Sequence, residues 1–408
     1  MYLNKYQFFK KKETAALISL ILLSVIIRIP IILIFGDTSL EHEWKTLVNN
    51  LIEHGVLSYR NFDGFLVPNL WMPPLYSYYL YLFSVFDLGE QYYVKLILLS
   101  QILLSSISVI IFYKINEIFF SKKISFYSAL LFSIFPLHVY ACSQISSASL
   151  QSFFTILFFY FFLKFTEKKN FLLNILLSIT AGFLILLRGE FLALLLLSLL
   201  YSYFFLKVSI KKILIVILIT LITVSPYLIR NILVFEKITI TKSFGYNLWK
   251  GNNPNSTVEG STLVRNDLAK KIDKIDKNKF YEINFDKIFL NQATKNIIEE
   301  PKRYFALFFK KLLSFIFIDL QSTQPNYYNI FHYLPLLLIG LTSITGIILY
   351  DRKSYRFNYL ILVFVANVII FSSFFILPRY KLAILPLQII FSNVLVDYIY
   401  NKFFNRHE

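Results

Sequence analysis

A single cysteine, Cys142, stands in 408 residues. It excludes an internal disulfide and a cysteine-built metal site, and it reads as a small apolar helix residue. Acid is scarce too: 24 Asp and Glu against 41 Lys and Arg leave a formal net charge of +17. The 11 glycines and 12 prolines gather into no linker, and no low-complexity tract or repeat divides the chain, so residues 1–408 read as one membrane domain. No phosphate-binding glycine loop, HExxH or Ser/His/Asp arrangement occurs.

Apolar surface is plentiful. The chain is 57% hydrophobic, 18% aromatic and 16% charged, with a mean hydropathy of +0.60, the profile of a polytopic membrane protein. A spanning helix needs about 20 mostly apolar residues. Candidate spans are Thr14–Phe35, Tyr92–Tyr113, Ile124–Tyr140, Leu150–Phe165, Phe171–Leu187, Phe191–Leu206, Ile213–Ile229, Ile330–Tyr350, Phe357–Leu377 and Leu382–Tyr400. The expected fold is all-α, a polytopic transmembrane helical bundle of about ten spans with outward-facing juxtamembrane helices. The first apolar run is too long for a signal-peptide core and lacks a small-residue cleavage pattern, so it is expected to stay as an anchor.

Charge sets the orientation. Lys5, Lys10, Lys11 and Lys12 put the N-terminus in the cytoplasm. Every second connection is then basic: Lys114, Lys122, Lys123; Lys164, Lys168, Lys169; Lys207, Lys211, Lys212; Arg352, Lys353, Arg356; and Lys402 with Arg406 beyond the last span. Lys and Arg clustered between apolar runs orient helices, which argues against nucleic acid as a partner. The alternation requires Pro73–Phe86 not to cross; its 14 residues and four tyrosines suit an interfacial helix. Loops 36–91 and 230–328 then face outward.

Between Gly36 and Pro74, five carboxylates (Asp37, Glu41, Glu43, Glu53, Asp63) meet two bases, Lys45 and Arg60. Thr38 and Glu41 fit a capping box, and Trp44, Leu47, Val48, Leu51 and Ile52 form a helical stripe, with Glu41 at one edge and Glu43 at the other. Acids in a first turn favour the helix dipole. The functional reading is a general base or metal ligand at the membrane surface. Arg188 (LLRGE), Arg230 (SPYLIRN), and Arg379 with Lys381 (LPRYKLAILP) sit at outward helix ends. Snorkelling explains each alone; as a set they suit a lipid phosphate whose departing charge must be neutralised. Ser243–Gly260 is either a surface turn or a carbohydrate platform, with Tyr246 and Trp249 offering rings and Asn247, Asn252 and Asn253 amides. Leu263–Glu300 reads as a charged helix, Lys302–Phe317 as a helix on the membrane, and His138 and Gln144 as packed polar residues. A site facing away from the cytoplasm has no nucleotide pool, so an activated donor there arrives attached to a lipid.

Glu41 and the Glu43-Trp44 pair followed by NNLIEHG, then WMPPLYSYYLYLFSVF, LLRGE, SPYLIRN with FGYNLWKGNNP, and LPRYKLAILP resemble, in this order and on one face, the polytopic GT-C glycosyltransferases. That group includes protein mannosyltransferases and aminoarabinose transferases. The resemblance implies a polyprenyl-phosphate sugar donor, a first-loop carboxylate base and inverting direct displacement onto a cell-envelope glycan or lipid acceptor. It also implies a bacterial cytoplasmic (inner) membrane, with both termini cytoplasmic. Carried over, the base is Glu41 or Glu43, with Asp37 behind them; Arg379, Lys381, Arg230 and Arg188 hold phosphate; Tyr246, Asn247, Trp249 and Asn252 lie near sugar or acceptor. Leu40 stands where members often carry aspartate, so the base stays open between the two glutamates. A divalent metal ion is the candidate cofactor, yet CSQISSAS (Cys142–Ser149) lacks the second acid that many members place there. Two other functions fit the pattern: a polysaccharide polymerase or ligase joining lipid-linked glycans, and a lipid or glycan transporter. The near absence of charge inside the spans favours an enzyme over the transporter.

Overall fold

The computed structural model describes residues 2–40, 42–86, 89–167, 170–324 and 329–403. After α1 (Tyr2–Phe35), the first long loop folds as α2 (His42–His54), a hairpin of β1 (Ser58–Phe62) and β2 (Phe65–Pro68), and α3 (Pro74–Ser84). There follow α4 (Glu90–Asn116), α5 (Lys122–Ile134), α6 (Pro136–Ala141), α7 (Ser147–Glu167), α8 (Phe171–Leu187), α9 (Phe191–Phe204) and α10 (Ile210–Phe235). The second long loop holds α11 (Phe244–Gly251), α12 (Asn266–Asp273) and α13 (Tyr281–Glu299), and leads into α14 (Pro301–Ile316). Then come α15 (Ile330–Leu349), α16 (Tyr355–Ser373), a 3-10 turn (Pro378–Ala383) and α17 (Leu385–Phe403).

The chain is an all-α polytopic membrane bundle with one small antiparallel hairpin. Among the described residues six helices are long and apolar enough to cross: Glu13–Phe35 within α1, then α4, α7, α10, α15 and α16; α8 and α9 are apolar but shorter. Two of the ten expected spans are interrupted. Ile124–Tyr140 breaks at Phe135, which is extended before Pro136, because a residue preceding proline is pushed out of the helical region. The expected span from Leu382 begins inside the 3-10 turn and becomes helical only at Leu385. The expected single helix over Leu263–Glu300 is likewise two, α12 and α13. The 11-residue α3 is too short to cross and packs among α2, α4 and α8.

The break before Pro136 strands the Ser133 carbonyl inside the bundle, and Arg28 of α1 serves it. Its Nη1 donates to Ser133 O (2.9 Å) and Ser24 O (3.0 Å), its Nε to Ser105 Oγ (2.9 Å) and its Nη2 to His138 Nδ1 (3.0 Å). His138 Nδ1 also lies 3.1 Å from Phe132 O, and its Nε2 lies 3.2 Å from Ser105 Oγ. Arg28 is fully buried, but it works as a helix cap, as a cation in hydrocarbon must when it has no carboxylate beside it. In α10, Pro226 removes the donor for Ile222 O, and Ser225 Oγ supplies it at 2.9 Å.

Polar contacts show which helix ends share a face. Glu13 pairs with Lys114 (3.0 Å) and with Lys122, Glu167 pairs with Lys164 (3.2 Å) and with Arg356, and the Tyr201 hydroxyl donates to Tyr355 O at 2.9 Å. These contacts gather the basic connections on one face, and the two long loops meet at the opposite end. Small residues let α15 and α17 touch closely: a methyl added at Gly346 would lie 1.9 Å from the Phe391 carbonyl oxygen.

Candidate active site where the long loops meet

α11 is bolted down at both ends. Asp286 of α13 accepts from Tyr246 N at 3.0 Å, capping its start. At its end, a Cβ on Gly251 would fall 1.9 Å from Phe374 O, so only glycine allows this approach. Lys311 Nζ donates to Gly251 O (2.7 Å) and Asn252 Oδ1 (3.2 Å), while Asn252 Nδ2 donates to Leu248 O and Ser373 O, both at 2.9 Å. Burial lowers Lys311 to about 7. Asn253 donates to Ser261 O (2.7 Å) and accepts from Asn255 N (2.8 Å).

The amides of Asn252 and Asn253 are thus consumed in shaping the turn. Trp249 is only 2% exposed, its ring 4.5 Å from that of Phe289, and Tyr246 is wedged between Trp71 (4.9 Å) and Trp249 (5.8 Å). Of the residues expected to form a platform here, Asn247 alone keeps a half-buried amide without a hydrogen bond among the described residues.

Lys250, the residue after Trp249, is half-buried. Its ammonium lies 4.4 Å from the Phe375 ring centroid and within electrostatic range of Arg379, Glu43 and Glu259. Burial lowers its pKa and Arg379 adds to that, while Glu43 and Glu259 oppose it. Glu259 is buried and accepts from Ser322 Oγ, from Thr323 N (3.0 Å) and from Thr323 Oγ1 (2.7 Å), tying down residues 322–323. Arg379 is exposed, and the Tyr380 ring lies between it (5.8 Å) and Arg188 (4.7 Å). Arg188 reaches Glu190 Oε1 at 2.5 Å and Gln151 Oε1 at 3.3 Å. Lys250 is thus within electrostatic range of Glu43 and Arg379, and the Tyr380 ring touches both Arg379 and Arg188. Lys250 and Glu259 did not stand out in the sequence, although Lys250 is the one cation inside the FGYNLWKGNNP motif.

The other expected residues are placed as follows. Glu41 lies outside the described residues, and with it the capping box. Asp37 accepts from Ile145 N at 2.6 Å and donates its own N–H to Ser143 O at 3.0 Å, fastening the end of α1 to residues 143–145. Arg230 donates to Asn69 O (3.0 Å) at the rim of an apolar groove of about 260 Å³ lined by Pro74, Leu75, Leu186, Thr223 and Pro226. Lys381 is 1% exposed and its ammonium donates to Ser314 O, Phe315 O and Phe317 O, the open carbonyl end of α14. Burial lowers its pKa to about 7, with Asp319 opposing. Three acceptors favour the ammonium, since a neutral amine has only two N–H bonds to give. Among the described residues no group of three or more His, Cys, Asp or Glu side chains converges on a metal position.

The hairpin docks beside this site. Its Asp63-Gly64 turn has φ of 51° and 92°, the two left-handed positions of a tight hairpin turn. Arg60 of β1 lies over the rings of Tyr59, Trp71, Tyr281 and Phe285 at 4.8–5.5 Å and 3.8 Å from Glu282 Oε1. Glu282 is 1% exposed; Oε2 accepts from Leu70 N at 2.5 Å and Oε1 has no hydrogen-bond partner among the described residues. Burial raises its pKa from 4.5 to about 7, with the Leu70 N–H and Arg60 opposing. Folded Glu282 keeps a proton that the unfolded chain releases, so its contribution is complete below pH 4.5 and is lost as pH rises through 7. Thermal unfolding in detergent should show the wild type losing up to about 3 kcal/mol relative to Glu282→Gln between these limits. Parallel pH profiles for the two proteins would refute this.

Together, fold and site define a polytopic membrane protein with a carboxylate and several cations gathered where its long loops meet, at one end of the bundle. Residues 72–229 match a family described as dolichyl-phosphate-mannose-protein mannosyltransferase. Over 97% of its length the chain resembles the archaeal oligosaccharyltransferase AglB from Archaeoglobus fulgidus, solved with an inhibitory peptide and a dolichol-phosphate, at 13% identity and a TM-score of 0.58. The crystal structure of the Archaeoglobus fulgidus oligosaccharyltransferase tethered with an acceptor peptide containing the NVT sequon gives 12% identity over 95% of this chain and a TM-score of 0.57. The chain spans about half the length of these relatives, 51% and 50%. ArnT from Cupriavidus metallidurans bound to undecaprenyl phosphate is more distant, with a TM-score of 0.43 at 10% identity over 94% of this chain and 78% of that one. No curated protein matches in sequence. The chain thus shares the fold of the membrane portion it matches in the archaeal oligosaccharyltransferase.

Proposed function

We propose that the chain is a glycosyltransferase that moves a sugar from a polyprenyl-phosphate donor to a cell-envelope glycan or lipid on the outer face of the membrane. The observation that supports this reading is that Lys250, half-buried at the end of α11, lies within electrostatic range of both Glu43 and Arg379. Glu43 takes the proton from an acceptor hydroxyl or amine. The freed lone pair attacks the anomeric carbon from the side opposite the phosphate, the bond from that carbon to the phosphate oxygen breaks, and configuration inverts. Arg379 and Lys250 neutralise the charge that accumulates on the departing lipid phosphate. Asn247 is the platform residue free to touch sugar or acceptor. Arg230, beside an apolar groove, is a second cation suited to a lipid phosphate, and the groove suits an isoprenoid chain.

Mass spectrometry of envelope glycans and lipids from cells with and without the gene tests the proposal. Loss of one sugar from one glycan or lipid, with accumulation of a monosaccharyl polyprenyl phosphate, is the expected result. Accumulation of complete lipid-linked glycans would instead mark a polymerase or ligase, and unchanged glycans and lipids would rule out a transferase.

A further inference from the structure

A cavity independent of the proposed active site opens at the basic face. It encloses about 410 Å³ between the end of α9, the end of α15 and the start of α16, lined by Tyr201, Phe205, Ile347, Tyr355 and Ile361, with Arg352 and Asn358 also on its wall. Its walls are apolar and aromatic, and its size is that of a small-molecule site. Arg352 is presented there with φ of 59°, a left-handed conformation uncommon for a side chain of its size. Two contacts hold that loop: Asn358 Nδ2 donates to Arg352 O at 3.1 Å, and Ser354 N donates to the Tyr350 hydroxyl at 2.7 Å. The neighbouring cations are occupied, Lys353 by Asp351 (2.9 Å) and Arg356 by Glu167. Arg352 has no carboxylate partner among the described residues and is exposed.

We propose that this cavity binds an anionic phospholipid from the leaflet at the basic face, with an acyl chain between Tyr201, Phe205, Ile347 and Ile361 and the phosphate against Arg352. Charge complementarity selects this occupant: the cavity lies within the bilayer's reach, its chain-sized portion is apolar, and its single unpaired charge is a guanidinium, which takes phosphate oxygens bidentately. The same face carries Lys207, Lys211 and Lys212, which raise the local concentration of anionic headgroups.

Native mass spectrometry of the purified protein in micelles with equal phosphatidylglycerol and phosphatidylcholine tests this. The wild type should retain phosphatidylglycerol about fivefold over phosphatidylcholine, the preference one basic contact near a membrane supplies. Arg352→Gln should bring the two lipids to parity, Ile361→Trp should fill the cavity and lose both, and Lys353→Gln should keep the wild-type preference. A rise in thermal midpoint on adding phosphatidylglycerol, present in the wild type and absent in Arg352→Gln, gives a second reading and shows that each variant is folded. The proposal is overturned by a wild type without preference, by Arg352→Gln and Ile361→Trp that retain it, or by an equal drop in Lys353→Gln, which would mean diffuse surface attraction.

Discussion

Replacing Glu43 by glutamine should lower sugar transfer by about 100- to 10,000-fold, the range a general base contributes, while the protein accumulates in membranes as before. The substitution preserves shape and removes the charge. Glu43 sits in the first turn of α2, half-buried, so the loss of its dipole interaction costs only about 0.3–1 kcal/mol. Its electrostatic neighbours are what distinguish it. Lys250 feels Glu43 and Arg379 together. Assays of Glu41→Gln, Glu43→Gln and the double variant with the natural donor separate the alternatives. A dead Glu41→Gln beside an active Glu43→Gln moves the base two residues toward the N-terminus, and a fully active double variant removes the carboxylate mechanism.

Lys381→Met should destabilise the fold by at least about 3 kcal/mol, because three buried carbonyls lose their donor at about 1 kcal/mol or more each. The accounting at this helix end is complete in the wild type: Phe317 N serves Leu313 O (2.8 Å), Gln388 Nε2 serves Ile316 O (2.9 Å), and Lys381 serves the carbonyls of Ser314, Phe315 and Phe317. Arg379→Gln, two residues away and exposed, should change stability by no more than about 0.5 kcal/mol yet reduce kcat about 100-fold by removing charge stabilisation at the leaving phosphate. Thermal unfolding in detergent and turnover, measured on both variants, check the pair. The reverse pattern, a stable Lys381→Met that is inactive, would return Lys381 to the phosphate site.

The LPRYKLAILP motif thus splits in two, and no periodicity could have divided it. Arg379 and Lys381 are two residues apart in a 3-10 turn, one pointing to solvent and the other into the junction with α14. The stripe on α2 was legible: Leu47 and Val48 are fully buried as a helical period demands, although Ile52 stays 51% exposed at its end. The hairpin was legible in principle, since Asp63-Gly64 between apolar residues is a strong hairpin signal. The break at Phe135–Pro136 was readable from the proline itself, but its consequence, a buried Arg28 acting as a cap, depends on a helix more than a hundred residues away.

By itself the sequence determined the membrane class, the basic and non-basic ends of the bundle and the small group of loops that carry the polar residues. Hydrocarbon imposes length and apolarity on spans, and charge asymmetry is written locally in short connections. Only the tertiary structure decided which polar residues are available for chemistry. Asn252, Trp249 and Lys381 were consumed by carbonyls and rings brought from distant segments, whereas Lys250 was brought within electrostatic range of Glu43 and Arg379. Whether a side chain is a cap or a site depends on the partners that meet it, and those partners come from helices that packing, not spacing, makes neighbours.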